Sequence, residues 1–192
     1  MIGEDAREPH GPLPIDRSAL RFTLQHRAGT PTQIAHVVSH LGDAIVLALL
    51  GGLLGVWLLR QRRGWFAAAL PLVTLAVASA VETAIKHAVG RPRPAAAYHL
   101  VAEHNAAFPS GHTTAATAFF IASALVIAPL VARRWRGAIL LGSGSIATAV
   151  GVARLVLGVH WLTDVAAGWA FGAACALGVS LATARYEAGV AR

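Results

Sequence analysis

The chain has 192 residues, of which 56% are hydrophobic and 13% charged, and its 16 basic and 9 acidic side chains give a formal net charge of +7 at pH 7. An intrinsically disordered chain has low hydrophobicity, and a soluble globular domain carries about 25% charged residues, so this composition excludes the first class and argues against the second. Cys175 is the only cysteine, which excludes an internal disulfide scaffold. A nucleic-acid-binding module and a membrane protein remain to be distinguished.

Long uncharged runs favour the membrane protein. No Asp, Glu, Lys or Arg occurs in residues 44–59, 64–81, 105–132, 137–153 and 165–184. A membrane-spanning helix needs about 20 mostly apolar residues. Extending the shorter runs by a turn and trimming the longest predicts spans at about 36–59, 65–88, 112–131, 137–158 and 161–184. Because these runs lack the polar outer faces of soluble helices, the sequence predicts an all-α fold, a polytopic bundle of about five transmembrane helices preceded by a polar N-terminal segment.

The predicted spans divide the chain into three parts. Residues 1–35 form a polar tail or an interfacial helix, because residues 15–24 mix apolar side chains with Arg17 and Arg21. Residues 36–185 form one transmembrane domain, and residues 186–192 form a cytoplasmic tail.

Basic residues gather between the spans, whereas a nucleic-acid-binding module would carry them in a stripe on a folded surface, so we expect no nucleic-acid partner. Two loops at one end of the bundle hold Arg60, Arg62, Arg63, Arg133, Arg134 and Arg136. If the basic residues at the opposite end are functional, the positive-inside rule places the arginine-rich loops in the cytoplasm. We therefore expect a multi-pass protein of the cell membrane whose opposite end is extracytoplasmic.

Tryptophans at span ends fit the headgroup layer; they are Trp57, Trp65, Trp135 and Trp161.

Three short segments stand out because they place charge inside the predicted spans, near their ends, whereas a membrane protein usually avoids charge within a span. They are residues 86–94, residues 109–112 and residues 154–164. By the predicted topology, all three meet on one membrane face. Convergence of independent segments is what an active site requires.

The chemistry of these segments points to phosphate. Lys86 is the only lysine in the chain, and its ammonium, with the guanidinium groups of Arg93 and Arg154, complements a tetrahedral dianion. Ser110 and Gly111 lead into a predicted helix, whose free N–H groups form an anion site.

Two histidines and one carboxylate add reactivity. His160 and Asp164 lie one helical turn apart, so the carboxylate can hold one imidazole N–H and leave the other nitrogen free to attack. His112 is suited to proton transfer near neutral pH. Taken singly, a snorkelling lysine, a topological arginine and a helix cap would explain these residues, but their joint order, spacing and sidedness favour a catalytic site.

At these residues the chain resembles the type 2 phosphatidic acid phosphatase superfamily of membrane lipid phosphatases. The signature of that family is K-x6-R-P, then P-S-G-H, then S-R-x5-H-x3-D. The matching residues here are Lys86, Arg93 and Pro94, then residues 109–112, then Arg154, His160 and Asp164. The resemblance covers residues from about 36 to 184 and departs from the family twice. Ala153 stands where the family has serine, and five predicted spans replace the usual six.

The resemblance implies a mechanism. His160 attacks phosphorus to form a phosphohistidine, Asp164 fixes the histidine tautomer, and His112 protonates the leaving oxygen and then activates water. The implied phosphate-binding residues are Lys86, Arg93, Ser110, Gly111 and Arg154. Neither a metal nor another cofactor is implied, because fixed cations and helix amides supply the electrostatics.

The implied substrate is a membrane lipid phosphate or diphosphate, such as a polyprenyl diphosphate, phosphatidate or phosphatidylglycerol phosphate. Residues 94–108 are too few for an extramembrane domain, so we expect the substrate to enter from the lipid layer. The sequence indicates no oligomeric state. Alternatives are a transporter that uses the intramembrane charges as an ion path, a vanadate-dependent haloperoxidase, and a catalytically silent lipid-binding relative.

Other polar residues near the segments are assigned separately. Glu82 lies four residues before Lys86, so we expect an ion pair between them. Glu103 and the neighbouring histidines are expected to face water. A metal site formed by His36, His40 and Asp43 is disfavoured, because no further ligand is available.

Overall fold

The computed structural model describes residues 11–190, and within this range it contains helices and loops but no β-strand. The α-helices are α1 (Pro14–His26), α2 (Thr30–Ser39), α3 (Ala44–Arg60), α4 (Trp65–Val89), α5 (Gly111–Ile127), α6 (Arg133–Val156) and α7 (Leu162–Val190). The predicted all-α class is confirmed. Residues 1–10 and 191–192, at the two ends of the predicted tails, lie outside the described residues.

The membrane-spanning part consists of four continuous helices and one bent pair. Helices α4, α6 and α7 are each long and apolar enough to cross a bilayer, as is α5 with the turn that follows it. The fifth candidate span joins Thr30–Gly42 to α3 at an angle of 55°. The prediction of about five spans is therefore confirmed if the bent pair is one span, and the span predicted at about 36–59 is broken at Asp43 rather than formed by one continuous helix.

The bend occurs at Asp43, which precedes α3 with extended backbone angles, φ −69° and ψ 131°. Its carboxylate lies close to two imidazoles, with Oδ2 2.7 Å from His40 Nδ1 and Oδ1 2.9 Å from His112 Nε2. These polar contacts hold the end of α2 and the start of α3 at the surface of the bundle.

Helix α5 lies at the centre of the bundle, in contact with α4, α6 and α7. Its buried face is made of small side chains such as Ala116 and Ala122, which let neighbouring helices approach. The approach of α7 is closest at Gly172, where an added Cβ would lie 2.6 Å from the carbonyl oxygen of Thr114. Close packing around α5 therefore fixes the ends of the helices that carry the site.

Helices α3, α5 and α7 begin at the end of the bundle where α4 and α6 end. The arginine-rich loops lie at the opposite end. One tryptophan differs from its predicted interfacial position, because Trp161 is only 5% exposed and its indole N–H donates to the carbonyl of Pro92 at 2.9 Å. This bond ties the loop before α7 to the loop after α4.

Candidate active site

A cavity of about 230 Å³ lies at the end of the bundle where α3, α5 and α7 begin. Side chains from all three sequence segments reach it. Those that line it include Lys86, Arg93, Gly111, His112 and His160. The structure thus brings together residues that are more than 70 positions apart in the chain.

His160 is buried beside one carboxylate and one guanidinium group. Its Nδ1 lies 3.5 Å from Asp164 Oδ2, and its Nε2 lies 3.1 Å from Arg93 Nη1. Within the described residues, Nδ1 has no hydrogen-bond partner. Burial first, and then the positive charges of Arg93 and Arg154, hold the pKa of His160 well below its ordinary value. The imidazole is therefore neutral at pH 7, which a nucleophilic nitrogen requires.

Asp164 is held from two directions. Its Oδ1 accepts a hydrogen bond from Arg91 Nη1 at 2.5 Å, and its Oδ2 accepts one from the amide of Trp161 at 2.9 Å. The second bond leaves Oδ2 directed at the His160 ring. Arg91 lies outside the residues that match the family signature, although it belongs to the same arginine- and proline-rich segment as Arg93.

His112 faces the cavity from the first turn of α5. The contact with the carboxylate of Asp43 holds the ring in place. From the sequence alone, Asp43 is considered only as a metal ligand. The signal available in the sequence is that Asp43 immediately precedes a long apolar run, as a helix N-cap does. Within the described residues, no group of three or more His, Cys, Asp or Glu side chains is arranged to hold a metal ion.

Lys86 and Arg93 are held by the loop between α4 and α5. Lys86 Nζ donates to the carbonyl of Ala106 at 2.5 Å and lies 3.2 Å from Glu82 Oε1, which confirms the expected ion pair. Arg93 donates from Nε to the carbonyl of Asn105 and from Nη1 to the carbonyl of Val159, both at 2.8 Å. Both cations are therefore fixed in position before any ligand binds.

Glu103 contacts both Arg93 and Arg154, so the expectation that it faces water is wrong. Its Oε2 lies 3.1 Å from Arg93 Nη2, and its Oε1 accepts a hydrogen bond from Arg154. Burial raises the pKa of Glu103, but Arg154 and Arg93 lower it by more, so the net pKa is below its ordinary value. An ionised carboxylate thus lies between two guanidinium groups that also complement phosphate.

Arg154 lies slightly apart from the 230 Å³ cavity. It lines an adjoining cavity of about 260 Å³ that shares Glu103 and His112 with the first. Its other guanidinium nitrogen donates to Ser39 Oγ at 2.8 Å. The arginine is thereby held against α2.

Ser110 and Gly111 are placed differently from one another at the start of α5. The hydroxyl of Ser110 is buried and accepts a hydrogen bond from Thr113 Oγ1 at 2.9 Å, and its amide donates to the carbonyl of Asp164. Gly111 lines the cavity, and an added Cβ would lie 2.8 Å from Glu82 Oε1. Glycine is therefore required for the close approach of α5 to α4 here.

The charged groups of the site lie in terminal helical turns or in the loop between α4 and α5. Lys86 and Arg154 lie in the last turns of α4 and α6, and Asp164 lies in the first turn of α7. An ion path through the bilayer, which the transporter alternative requires, would place them near the middle of the spans.

The larger part of the chain matches a known protein family. The sequence model of the PAP2 superfamily matches residues 67–187, a range that contains all three segments. The chain belongs to the PAP2 superfamily.

Three PAP2-related enzymes show the extent of the similarity. Decaprenylphosphoryl-5-phosphoribose phosphatase of Mycobacterium tuberculosis is 32% identical over 180 residues, covering 87% of this chain and 88% of that protein. Phosphatidylglycerophosphatase B of Bacillus subtilis is 31% identical over 137 residues, covering 70% and 66% of the two chains. Lipid A 1-phosphatase of Rhizobium johnstonii is 30% identical over 178 residues, covering 77% and 69%.

Solved structures agree with the PAP2 fold. The transmembrane PAP2-type phosphatidylglycerolphosphate phosphatase from Bacillus subtilis superposes with a TM-score of 0.81 at 26% identity, covering 86% of this chain and 82% of that one. LpxE from Aquifex aeolicus gives a TM-score of 0.69 at 21% identity, covering 87% and 95%, and supports the fold alone. The chain is a membrane protein of the PAP2 type.

Proposed function

We propose that this protein is an integral membrane phosphatase that hydrolyses a lipid phosphate or diphosphate through a phosphohistidine on His160, without a metal. The observation that carries the proposal is the placement of a neutral imidazole between the carboxylate of Asp164 and the guanidinium of Arg93, at a cavity lined by cations. A nucleophile, its orienting carboxylate and an anion site are thereby combined.

In the first step, the lone pair of His160 Nε2 attacks phosphorus, and the bond between phosphorus and the leaving oxygen breaks. His112 donates its proton to that oxygen. The His160 ring becomes positively charged, and Asp164 stabilises it through the Nδ1 proton. The 3.5 Å separation between Nδ1 and Oδ2 is expected to shorten as this charge develops.

In the second step, His112 removes a proton from water, and the water oxygen attacks phosphorus. The Nε2–P bond breaks, inorganic phosphate leaves, and His160 returns to its neutral form. The same two histidines therefore serve both steps, and no group is consumed.

The phosphoryl group takes the place of the Glu103 carboxylate between Arg93 and Arg154. Both guanidinium groups already contact an anion there, so binding replaces one set of charge-assisted hydrogen bonds by another. Lys86 and Gly111 line the same cavity, and Gly111 is the first residue of α5, where a helix has unpaired N–H groups that can bind an anion. These donors stabilise the charge of the transition state.

A lipid substrate is supported by an apolar groove of about 940 Å³ between α2 and α6. The groove includes Val38 and Ala153, the neighbours in sequence of Ser39 and Arg154, which are hydrogen-bonded to each other. We infer that the hydrocarbon chain lies in this groove while its phosphate reaches Arg154. Curated relatives named for polyprenyl, glycerol and lipid A phosphates agree with a lipid substrate.

The replacement of the family serine by Ala153 fits this role. Ala153 is 3% exposed and packs with Ala35 and Leu157 at the upper end of the groove. A hydroxyl at this position would be buried among apolar side chains, at a cost of about 1–3 kcal/mol without a partner. Alanine therefore keeps the path of the hydrocarbon chain apolar.

Phosphate release by the purified protein tests the function. In detergent with excess chelator, we expect wild-type protein to release phosphate from at least one of a polyprenyl diphosphate, phosphatidate and phosphatidylglycerol phosphate. His160→Ala should abolish both turnover and a base-stable, acid-labile phosphoenzyme. Failure of the wild type on all three substrates, or full activity of the variant, would contradict the proposal. Activity that is lost with chelator and restored by magnesium would contradict the metal-free mechanism alone.

We also propose that the site faces the extracytoplasmic side of the cell membrane, as the arginine-rich loops at the opposite end support. The test uses single cysteines in a Cys175→Ser background. His104→Cys, beside the site, should react with a membrane-impermeant thiol reagent in intact cells, whereas Arg62→Cys should react only after permeabilisation. Both positions are exposed, so the reverse pattern would contradict the orientation.

A further inference from the structure

Helix α1 contributes a fully buried carboxylate to the back of the site. Asp16 is 0% exposed, and four donors satisfy its two oxygens. The amide of Thr163 donates to Oδ1 at 2.9 Å, and the amide of Leu13 donates to Oδ2 at 3.0 Å. The hydroxyl of Thr163 and the guanidinium of Arg91 complete the set.

Arg91 connects this carboxylate to the site. Its Nη2 lies 2.7 Å from Asp16 Oδ2, and its Nη1 lies 2.5 Å from Asp164 Oδ1. Nη1 also donates to the hydroxyl of Thr163 at 2.7 Å. Two buried carboxylates thus share one buried arginine, and the three groups together carry a net charge of −1.

We propose that Asp16 is a positioning residue of the phosphatase site, acting through Arg91 on Asp164 and so on His160. The inference rests on the proposed function and extends it to a helix that lies outside the family signature. Asp16 contacts neither the cavity nor the reacting atoms.

The physical reason is competition for the charge of Asp164. Arg91 and His160 approach opposite oxygens of this carboxylate, and His160 becomes cationic when it is phosphorylated. With Asp16 present, the positive charge of Arg91 is shared between two carboxylates, so more of the negative charge of Asp164 remains to stabilise the imidazolium. Without Asp16, Arg91 offsets more of the charge of Asp164, so the imidazolium is less stabilised.

Asp16 has the ionisation state that this role requires. Burial raises the pKa of Asp16, but hydrogen bonds from the amides of Thr163 and Leu13 and from Arg91 lower it by more. The net pKa lies below the ordinary aspartate value. The carboxylate is therefore charged at neutral pH.

The main test is Asp16→Asn, which keeps the size of the side chain and one acceptor oxygen but removes the charge. With whichever of the three lipid phosphates the wild type hydrolyses, we expect kcat to fall about tenfold while KM changes by less than about twofold, because the imidazole is neutral in the free and substrate-bound enzyme and becomes an imidazolium only on the way to the phosphoenzyme. The matched control is Arg21→Gln, which removes an exposed charge from the same helix and should leave both constants unchanged.

A double-mutant cycle separates positioning from simple support of the fold. In an Arg91→Gln background, Asp16→Asn should cause no further loss of kcat, because the group through which Asp16 acts is gone. Because the two residues are in contact, a merely structural role can also make the losses non-additive, but it predicts that KM and the unfolding temperature shift together with kcat. Thr163→Val removes the hydroxyl between Asp16 and Arg91 and leaves all charges in place; it should lower kcat about threefold at constant KM.

The outcomes are distinguishable. Absence of phosphate release from the wild type on a polyprenyl diphosphate, phosphatidate and phosphatidylglycerol phosphate alike would overturn the proposed function and the inference with it. An active wild type with an equally active Asp16→Asn variant would overturn the inference alone. If Asp16→Asn does not fold, wild-type kcat in Thr163→Val would overturn it.

Discussion

The proposed role of the groove between α2 and α6 can be tested separately from the chemistry, because His112, His160 and Asp164 do not line it. Gly144 lines the groove, and an added Cβ there would meet nothing within 4 Å. Gly144→Phe should therefore fold, and it places an aromatic ring where we infer the hydrocarbon chain to lie. Replacing this helical glycine by phenylalanine also recovers part of the propensity penalty of glycine, which is about 1 kcal/mol relative to alanine.

The magnitude follows from buried hydrocarbon. A phenyl ring in the groove displaces about three methylene groups of the substrate, each worth about 0.8 kcal/mol when buried. The loss of about 2.4 kcal/mol corresponds to a decrease of about 50-fold in kcat/KM for a long-chain lipid phosphate. A water-soluble chromogenic phosphate ester, which has no chain, should be hydrolysed at the wild-type rate.

Gly142→Phe provides the matched control. Gly142 lies on the same helix outside the groove lining, and its added Cβ also meets nothing within 4 Å. Both variants therefore enlarge a lipid-facing glycine of α6, but only one fills the groove. Equal activity of the two variants on the long-chain substrate, or a parallel loss on the chromogenic ester, would refute the assignment of the groove.

Three further predictions address the site. The pKa of His160 is held well below its ordinary value of about 6.5, so the proposed nucleophile stays unprotonated as the pH falls. Rapid-quench measurements should therefore detect as much phosphoenzyme at about pH 5.5 as at pH 7. Disappearance of the phosphoenzyme at the lower pH would contradict this. Glu103→Gln removes the anion that competes for two arginines, so product inhibition by inorganic phosphate should strengthen about three- to tenfold, and an unchanged inhibition constant would be the contrary result. Gly111→Ala forces a Cβ towards Glu82 and disturbs its pair with Lys86, so kcat/KM should fall at least about tenfold, and wild-type kinetics would show that the close approach is not needed.

Much of the fold is predictable because membrane spans are encoded locally. Uncharged runs of sufficient length are visible in the sequence, and they correspond to α4, α5, α6 and α7. The break at Asp43 is not visible in this way, because it depends on a contact with His112, 69 positions away. Composition alone cannot distinguish a polar residue that ends a helix from one tolerated near the end of a span.

The candidate site, like the fold, could be predicted from the sequence only in part. The three segments could be grouped from their order and sidedness, and the structure places their cations and histidines around one region. Glu103 and Asp16 could not be assigned, because each is an acid in a polar stretch that is ordinarily expected to face water. Their burial follows from arginines distant in sequence, since Glu103 contacts Arg154 and Asp16 contacts Arg91.

The burial of the single lysine has a practical consequence for chemical labelling. Lys86 is 9% exposed at its side chain and paired with Glu82, so its amine is shielded from bulky acylating reagents in the folded protein. Succinimidyl dyes and amine cross-linkers should leave this side chain unmodified until the end of the bundle that carries the candidate site opens. Acylation of Lys86, followed by peptide mass spectrometry, therefore reports directly on the integrity of the phosphate pocket.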